Sequence, residues 1–149
     1  MAVERAPEIE QQLREGTEAF RRGDREFFER FTSRHESALT VGSDADEVAH
    51  GYDEIVRTMT TEMDQRSSEY PRLDLGKVEA WHEADIGWAT SLGEFQLSDE
   101  AAIPARTTAV LHREDGEWKL LNWCFSLAVP NEELRPDSPL VRQAQGAST

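Results

Sequence analysis

The sequence has one cysteine, two lysines and two tyrosines, and no apolar run near the ~20 residues a bilayer-crossing helix needs, so a spanning segment of that kind is excluded. Cys124 has no second thiol to pair with, which rules out an intrachain disulfide framework and a cysteine zinc cage. Basic residues are few: 16 Lys and Arg stand against 30 Asp and Glu, a net charge of −14. Such a surface repels a phosphate backbone, and nucleic acid is not expected as a partner. Four scattered histidines form neither a His-x-His nor an HExxH pair, and the acidic turn Ser43–Glu47 lacks the central Gly and later Glu of a calcium loop. No metal and no cofactor are expected. The N-terminal stretch carries acids early and lacks a continuous apolar segment, so a cytoplasmic address is expected. Arg in place of Lys, together with surplus acid, is a composition associated with high-GC or salt-loving hosts.

What is present divides by periodicity. Ile9, Leu13 and Phe20 recur near a 3.6 period and Gly23 sits at a terminator position, predicting a helix over about 6 to 22. Asp24 is placed to cap a second helix whose Phe27, Phe28 and Phe31 form one aromatic face. Leu39 to Val41 reads as a short strand, the polar segment 43–50 as a turn or short helical coil, and Tyr52, Ile55, Val56, Met59 and Met63 as a third amphipathic helix. After a polar link, SSEYP, the period changes to 2. Four strands are predicted, over about 72 to 82, 86 to 97, 104 to 113 and 117 to 128, with Asp115-Gly116 as the turn of the final hairpin. Helices first and a long antiparallel sheet afterwards is an α+β order. One domain is expected over 1–130, followed by a partly irregular C-terminal tail over 131–149.

The segments VGSDADEVAHGYDEI and ARTTAVLHREDGEWKLLNWCFSLAVPNEE give this pattern a family likeness. The chain resembles the SnoaL-like group of the nuclear transport factor 2-like superfamily over most of its length. The resemblance implies a cone-shaped fold, with three N-terminal helices packed on a curved antiparallel sheet around a pocket. It specifies chemistry poorly, because isomerases, dehydratases, cyclases, binding proteins and oligomeric hubs share this scaffold. The final hairpin is also similar to that of the association domain of calcium/calmodulin-dependent protein kinase, which has pocket arginines at the positions of Ala109 and Phe125. Those positions are apolar here, so an anion held by such arginines is not implied.

From that likeness and strand parity, the expected pocket wall is Trp88, Thr90, Ala109, Trp123 and Phe125, with Phe20, Phe27 and Phe31 from the helices. Thr90 and Tyr52 would supply its hydrogen bonds. Trp118, Leu120 and Cys124 are expected on the opposite face, with Leu120, Asn122 and Val110 near a homodimer contact. Any one of these aromatics is more often core filling than ligand wall. Catalysis would need an acid or base inside the pocket, and no ionisable residue falls on the strand positions assigned to it. The catalytic candidates are therefore only His35, His50 and Tyr52. The expected function is binding of a small, largely apolar molecule. The alternatives are an isomerase, dehydratase or cyclase using acid–base residues, or an oligomerisation module.

Overall fold

The structure, a computed structural model, describes residues 2–65, 69 and 71–146. The link SSEYP and the last three residues lie largely outside that range. In chain order the elements are β1 (Glu4–Arg5), α1 (Pro7–Arg22), α2 (Arg25–Phe31), β2 (Leu39–Val41), β3 (Val48–His50), α3 (Gly51–Gln65), β4 (Arg72–Glu83), β5 (Ile86–Gln96), β6 (Ala102–Glu114), β7 (Glu117–Leu127) and α4 (Pro139–Gly146), with a 3-10 turn over Asn131–Leu134 before α4. The fold is α+β: a curved, unclosed sheet with α1, α2 and α3 laid against one face.

The helix boundaries follow from local chemistry. Gly23 ends α1 in the left-handed conformation, φ 74°, where its N–H reaches the Ala19 and Phe20 carbonyls. One residue later the Asp24 carboxylate accepts from the Phe27 N–H at 3.1 Å and starts α2. Arg22 and that backbone N–H hold the Asp24 carboxyl below its ordinary range. These two adjacent signals set the turn between the helices. It brings Phe27, Phe28 and Phe31 into contact with α1, and a Cβ at Gly16 would lie 3.4 Å from the Phe27 ring.

The strands run β1-β4-β5-β6-β7-β2-β3 across the sheet. All neighbours are antiparallel except β2, which lies parallel to β7. The segment expected to be a turn or coil before Gly51 instead ends in β3, because Val48 to His50 pairs with β2 as a hairpin. The tail is also more regular than its prolines suggest. The Ser138 hydroxyl accepts from the Val141 N–H at 3.2 Å and caps α4. The Asp115-Gly116 turn is as expected, with φ values of 51° and 79°.

Two irregularities decide which residues face the helices. Between the pairs Val110–Asn122 and Leu111–Leu120, β7 carries one extra residue, Leu121. Trp123 and Phe125 therefore face inward on one side of this bulge, while Trp118 and Leu120 face inward on the other. Trp118 and Leu120 are 6% and 3% exposed, which corrects their assignment to the outer face. Of the trio expected near a dimer contact, Asn122 and Val110 remain on the outer face and Leu120 does not.

The second correction concerns β5. Ala89 pairs with Ala109, and Gly87, Ala89 and Ser91 are the buried set, so Trp88, Thr90 and Leu92 point away from the helices. Size misleads here. The inner face of β5 is built from small residues because α1 lies almost on the backbone: a Cβ at Gly87 would come within 2.3 Å of Ile9 Cδ1. A second close approach occurs at the bulge in β4, where a Cβ at Gly93 would lie 1.9 Å from the Asp74 carbonyl oxygen. The core joins these surfaces, running from Ile9 and Leu13 through the α2 phenylalanines to Val78, Ala109, Leu111, Trp118 and Leu120.

Candidate functional site

The helices do not cover the inner face completely. Beyond Leu120, toward the strand ends at Phe95 and Phe125, a cavity of about 310 Å³ opens between α1, α2, α3 and the sheet. Its walls are mainly apolar: Leu13, Gly16 and Phe20 from α1, Phe28 and Phe31 from α2, Met59 from α3, and Leu73, Phe95, Leu120, Trp123 and Phe125 from the strands. Phe95 and Phe125 touch with ring centroids 5.5 Å apart, and Phe20 meets Phe28 edge-on at 6.3 Å.

Four of the eight residues expected to form a pocket wall thus meet in one cavity: Phe20, Phe31, Trp123 and Phe125. The other four do not line it. Phe27 is in the core beneath, 5.3 Å from both Phe28 and Phe31. Ala109 is 2% exposed in the middle of the sheet, packed within the core. Trp88 and Thr90 are on the opposite face, displaced there by the register of β5.

The catalytic candidates are elsewhere. His35 is exposed, with its Nδ1 2.7 Å from the Ser37 hydroxyl in a local turn. His50 is exposed at the start of α3, where its backbone N–H donates to Glu54 at 2.8 Å. The Tyr52 hydroxyl donates to the Glu29 carbonyl at 2.9 Å, and the Arg34 guanidinium lies 3.9 Å from its ring centroid. None of the three lines the cavity. Tyr52 therefore ties α3 to α2 and supplies no hydrogen bond to a pocket.

The polar groups that do line it come from places that strand parity could not show. Thr40 of β2 pairs in register with Trp123 and so shares its inward direction. It is 7% exposed. Glu62 follows Met59 by one turn of α3 and is half-buried in the wall. Glu47 lies across from it, its Oε2 accepting the Asp44 N–H at 3.1 Å while it folds over Gly42; a Cβ there would lie 2.0 Å from that oxygen. Burial raises the Glu62 carboxyl above its ordinary value, and the charge of Glu47 raises it further. Arg21 and Arg72 also reach the cavity, each beside an acid of its own, Glu18 at 3.3 Å and Glu69 at 3.1 Å. The signal for Glu62 was present in the sequence: it continues the stripe Ile55, Thr58, Met59 at helical spacing, an acid where the apolar pattern predicts burial.

No group of three or more His, Cys, Asp or Glu among the described residues is arranged to hold a metal ion. No helix among them is long and apolar enough to cross a membrane.

Comparison with known proteins agrees with this architecture. Among solved structures, an NTF2-like protein of unknown function from Pseudomonas putida superposes with a TM-score of 0.72 at 14% identity, covering 87% of this chain and 90% of that one. A candidate dehydratase of the NTF2-like family from Streptomyces avermitilis gives 0.69 at 17% identity, covering 82% and 95%. A candidate calcium/calmodulin-dependent protein kinase II association domain from Xanthomonas campestris gives 0.64 at 16%, covering 81% and 86%. Likeness at such identities establishes the fold alone. No curated protein sequence matches the chain. The sequence pattern of the SnoaL-like domain, however, matches residues 9–130, more than half of the chain, and the protein belongs to the SnoaL-like family.

Proposed function

We propose that this protein binds a small, largely apolar molecule in the cavity between its helices and sheet. The observation that carries this reading is the cavity of about 310 Å³, walled by six aromatic rings and open to a few polar groups. A space of that size with convergent aromatics and sparse hydrogen-bonding groups suits a ligand that is buried for its apolar area and oriented by one end. An oligomerisation module without a ligand would have no need to keep this space unfilled. An enzyme of dehydratase or isomerase type is the second reading, favoured by the half-buried Glu62 in the wall. It is the weaker one, because no His or Tyr among the described residues lines the cavity with Glu62 and Glu47.

The test is a screen of small apolar compounds against the full chain by thermal shift and native mass spectrometry, since a ligand that binds only the folded state raises its melting temperature. A binder should lose about tenfold or more in affinity to Trp123→Ala, a decade being 1.4 kcal/mol. Binding that survives this substitution unchanged in a folded variant would place the ligand elsewhere and overturn the reading.

We also propose that the protein is a homodimer through the face of the sheet that no helix covers. Ile86, Leu92 and Val48 are 42%, 60% and 47% exposed on that side, which also carries Trp88, Val110 and Cys124. Exposed apolar side chains on a sheet face are stabilised when a second surface covers them.

A further inference from the structure

We infer that the ligand of this cavity carries a protonated amine, held by Glu62 and Glu47 while its apolar body lies against the aromatic walls. This rests on the cavity being a binding site and adds what its ligand must look like.

The argument begins with the electrostatics of the wall. A carboxylate can only accept hydrogen bonds, so a half-buried one needs donors. Glu62 has no hydrogen bond or ion pair among the described residues, and another carboxylate, Glu47, lines the same cavity. The two arginines that reach the cavity sit beside Glu18 and Glu69. A neutral apolar ligand filling the cavity would strip water from Glu62 and leave it with no compensation. An anionic ligand would add a third negative charge. A cationic donor satisfies Glu62, relieves its repulsion with Glu47, and is drawn in by the net charge of −14.

Two further features fit that head group. Thr40, 7% exposed, lines the same space, and a hydroxyl oxygen can accept from an ammonium N–H. Trp123, in register with Thr40, lines the same space, and indole is the aromatic ring on which a cation is best stabilised. Aromatic walls, a threonine hydroxyl and a half-buried carboxylate facing a second carboxylate thus converge on one space.

Tryptamine, tryptophol and indoleacetate share one ring and differ in the head group, and isothermal titration calorimetry of the full chain with each tests the inference. Tryptamine should bind about tenfold tighter than tryptophol, as expected for a charged hydrogen bond worth at least ~1.5 kcal/mol, with indoleacetate weakest. Glu62→Gln should remove that advantage and leave tryptophol within about twofold, its folding confirmed by circular dichroism. Tryptophol binding as tightly as tryptamine, or a tryptamine affinity unchanged by Glu62→Gln, would overturn the amine inference while leaving the apolar cavity reading intact. Failure of all three to bind, in a protein that also binds no other apolar compound, would overturn both.

Discussion

Leu120 and Trp123 lie three residues apart on one strand and face the same cavity, which simple alternation forbids. The extra residue Leu121 between them makes it possible, and its own side chain packs against the small cluster of Ala38, Ala49 and Ile55. One strand thereby serves two jobs: its first half closes the core with Trp118 and Leu120, and its second half lines the cavity with Trp123 and Phe125.

That relationship predicts the cost of truncating Leu120. At 3% exposure within the main core, Leu120→Ala should destabilise the fold by ~2–5 kcal/mol, read from urea denaturation with an unchanged m-value. Were the strand to alternate without a bulge, Leu120 would lie on the far face, and the change would be within about 0.5 kcal/mol.

Ala109 gives a prediction of a different kind. Arginine at a residue 2% exposed between Ala89 and Trp123 has no cavity to enter. Ala109→Arg should therefore abolish folding, because overpacking costs ~1–3 kcal/mol and an unpaired buried charge adds several more. Circular dichroism and solubility of the purified variant check this; a folded, soluble Ala109→Arg protein would mean the inner face is looser than the packing implies.

Gly93 marks where backbone meets backbone. A methyl group there would sit 1.9 Å from the Asp74 carbonyl oxygen and 2.6 Å from the Leu75 carbonyl, neither of which is a side chain able to swing away. Gly93→Ala should cost ~1–3 kcal/mol or more and disturb the β4–β5 pairing at the bulge. Gly23→Ala offers a contrast: it meets nothing within 4 Å, and its φ of 74° makes the strain purely conformational. It should cost about 1 kcal/mol, the ordinary price of a left-handed position for a residue with a Cβ. Thermal melts of both variants distinguish the two mechanisms.

The helices and the long strands were legible because each has a local cause: the glycine and aspartate between α1 and α2, the Asp-Gly turn before β7, the change of period near residue 72. The cavity was only half legible. Phe20, Phe31, Trp123 and Phe125 followed from helix faces and from the parity of one uninterrupted half-strand. Trp88 and Thr90 failed because parity within a strand is known only up to a choice of face, and the likeness of the final hairpin does not extend to β5. The close approach of α1 to Gly87 reverses that choice, and its trace in β5 is the run of small residues Gly87, Ala89 and Ser91 on the covered face. Trp118 and Leu120 failed because a one-residue bulge leaves no composition signal. Glu62 and Thr40 were missed because only the strands of the long sheet were sorted into faces, whereas these groups arrive from a helix and from a short strand added parallel to its edge.

The uncovered face of the sheet carries its own test. Light scattering at micromolar concentration should return twice the mass of one chain, and Trp88→Asp, which places a charge beside Val110, should return a single chain with its melting behaviour otherwise cooperative. A monomeric parent protein would overturn the dimer proposal and leave the cavity untouched.

The last prediction concerns the pH dependence of stability. Burial and Glu47 raise the Glu62 carboxyl above its ordinary value of 4.5, so between that value and the higher folded one the native chain holds a proton that the unfolded chain has released. Stability then falls as pH rises through this window, and above it the ionised Glu62 remains a net cost to the fold. Removing the charge removes the cost. Glu62→Gln should therefore raise the melting temperature above this window, and the gain should vanish well below the ordinary value, where both states are protonated. Asp24 should behave in the opposite sense, since Arg22 and the Phe27 N–H lower its carboxyl: its contribution is present at neutral pH and lost on acidification. Melting curves of Glu62→Gln and Asp24→Ala from pH 3 to 8 should thus diverge from the parent in opposite directions at the neutral end and converge with it at the acid end, apart from the neutral capping bond that Asp24→Ala also loses. A Glu62→Gln variant less stable than the parent at pH 7 would show that the carboxylate has a favourable partner within the fold, and with it the electrostatic case for a cationic ligand would fail.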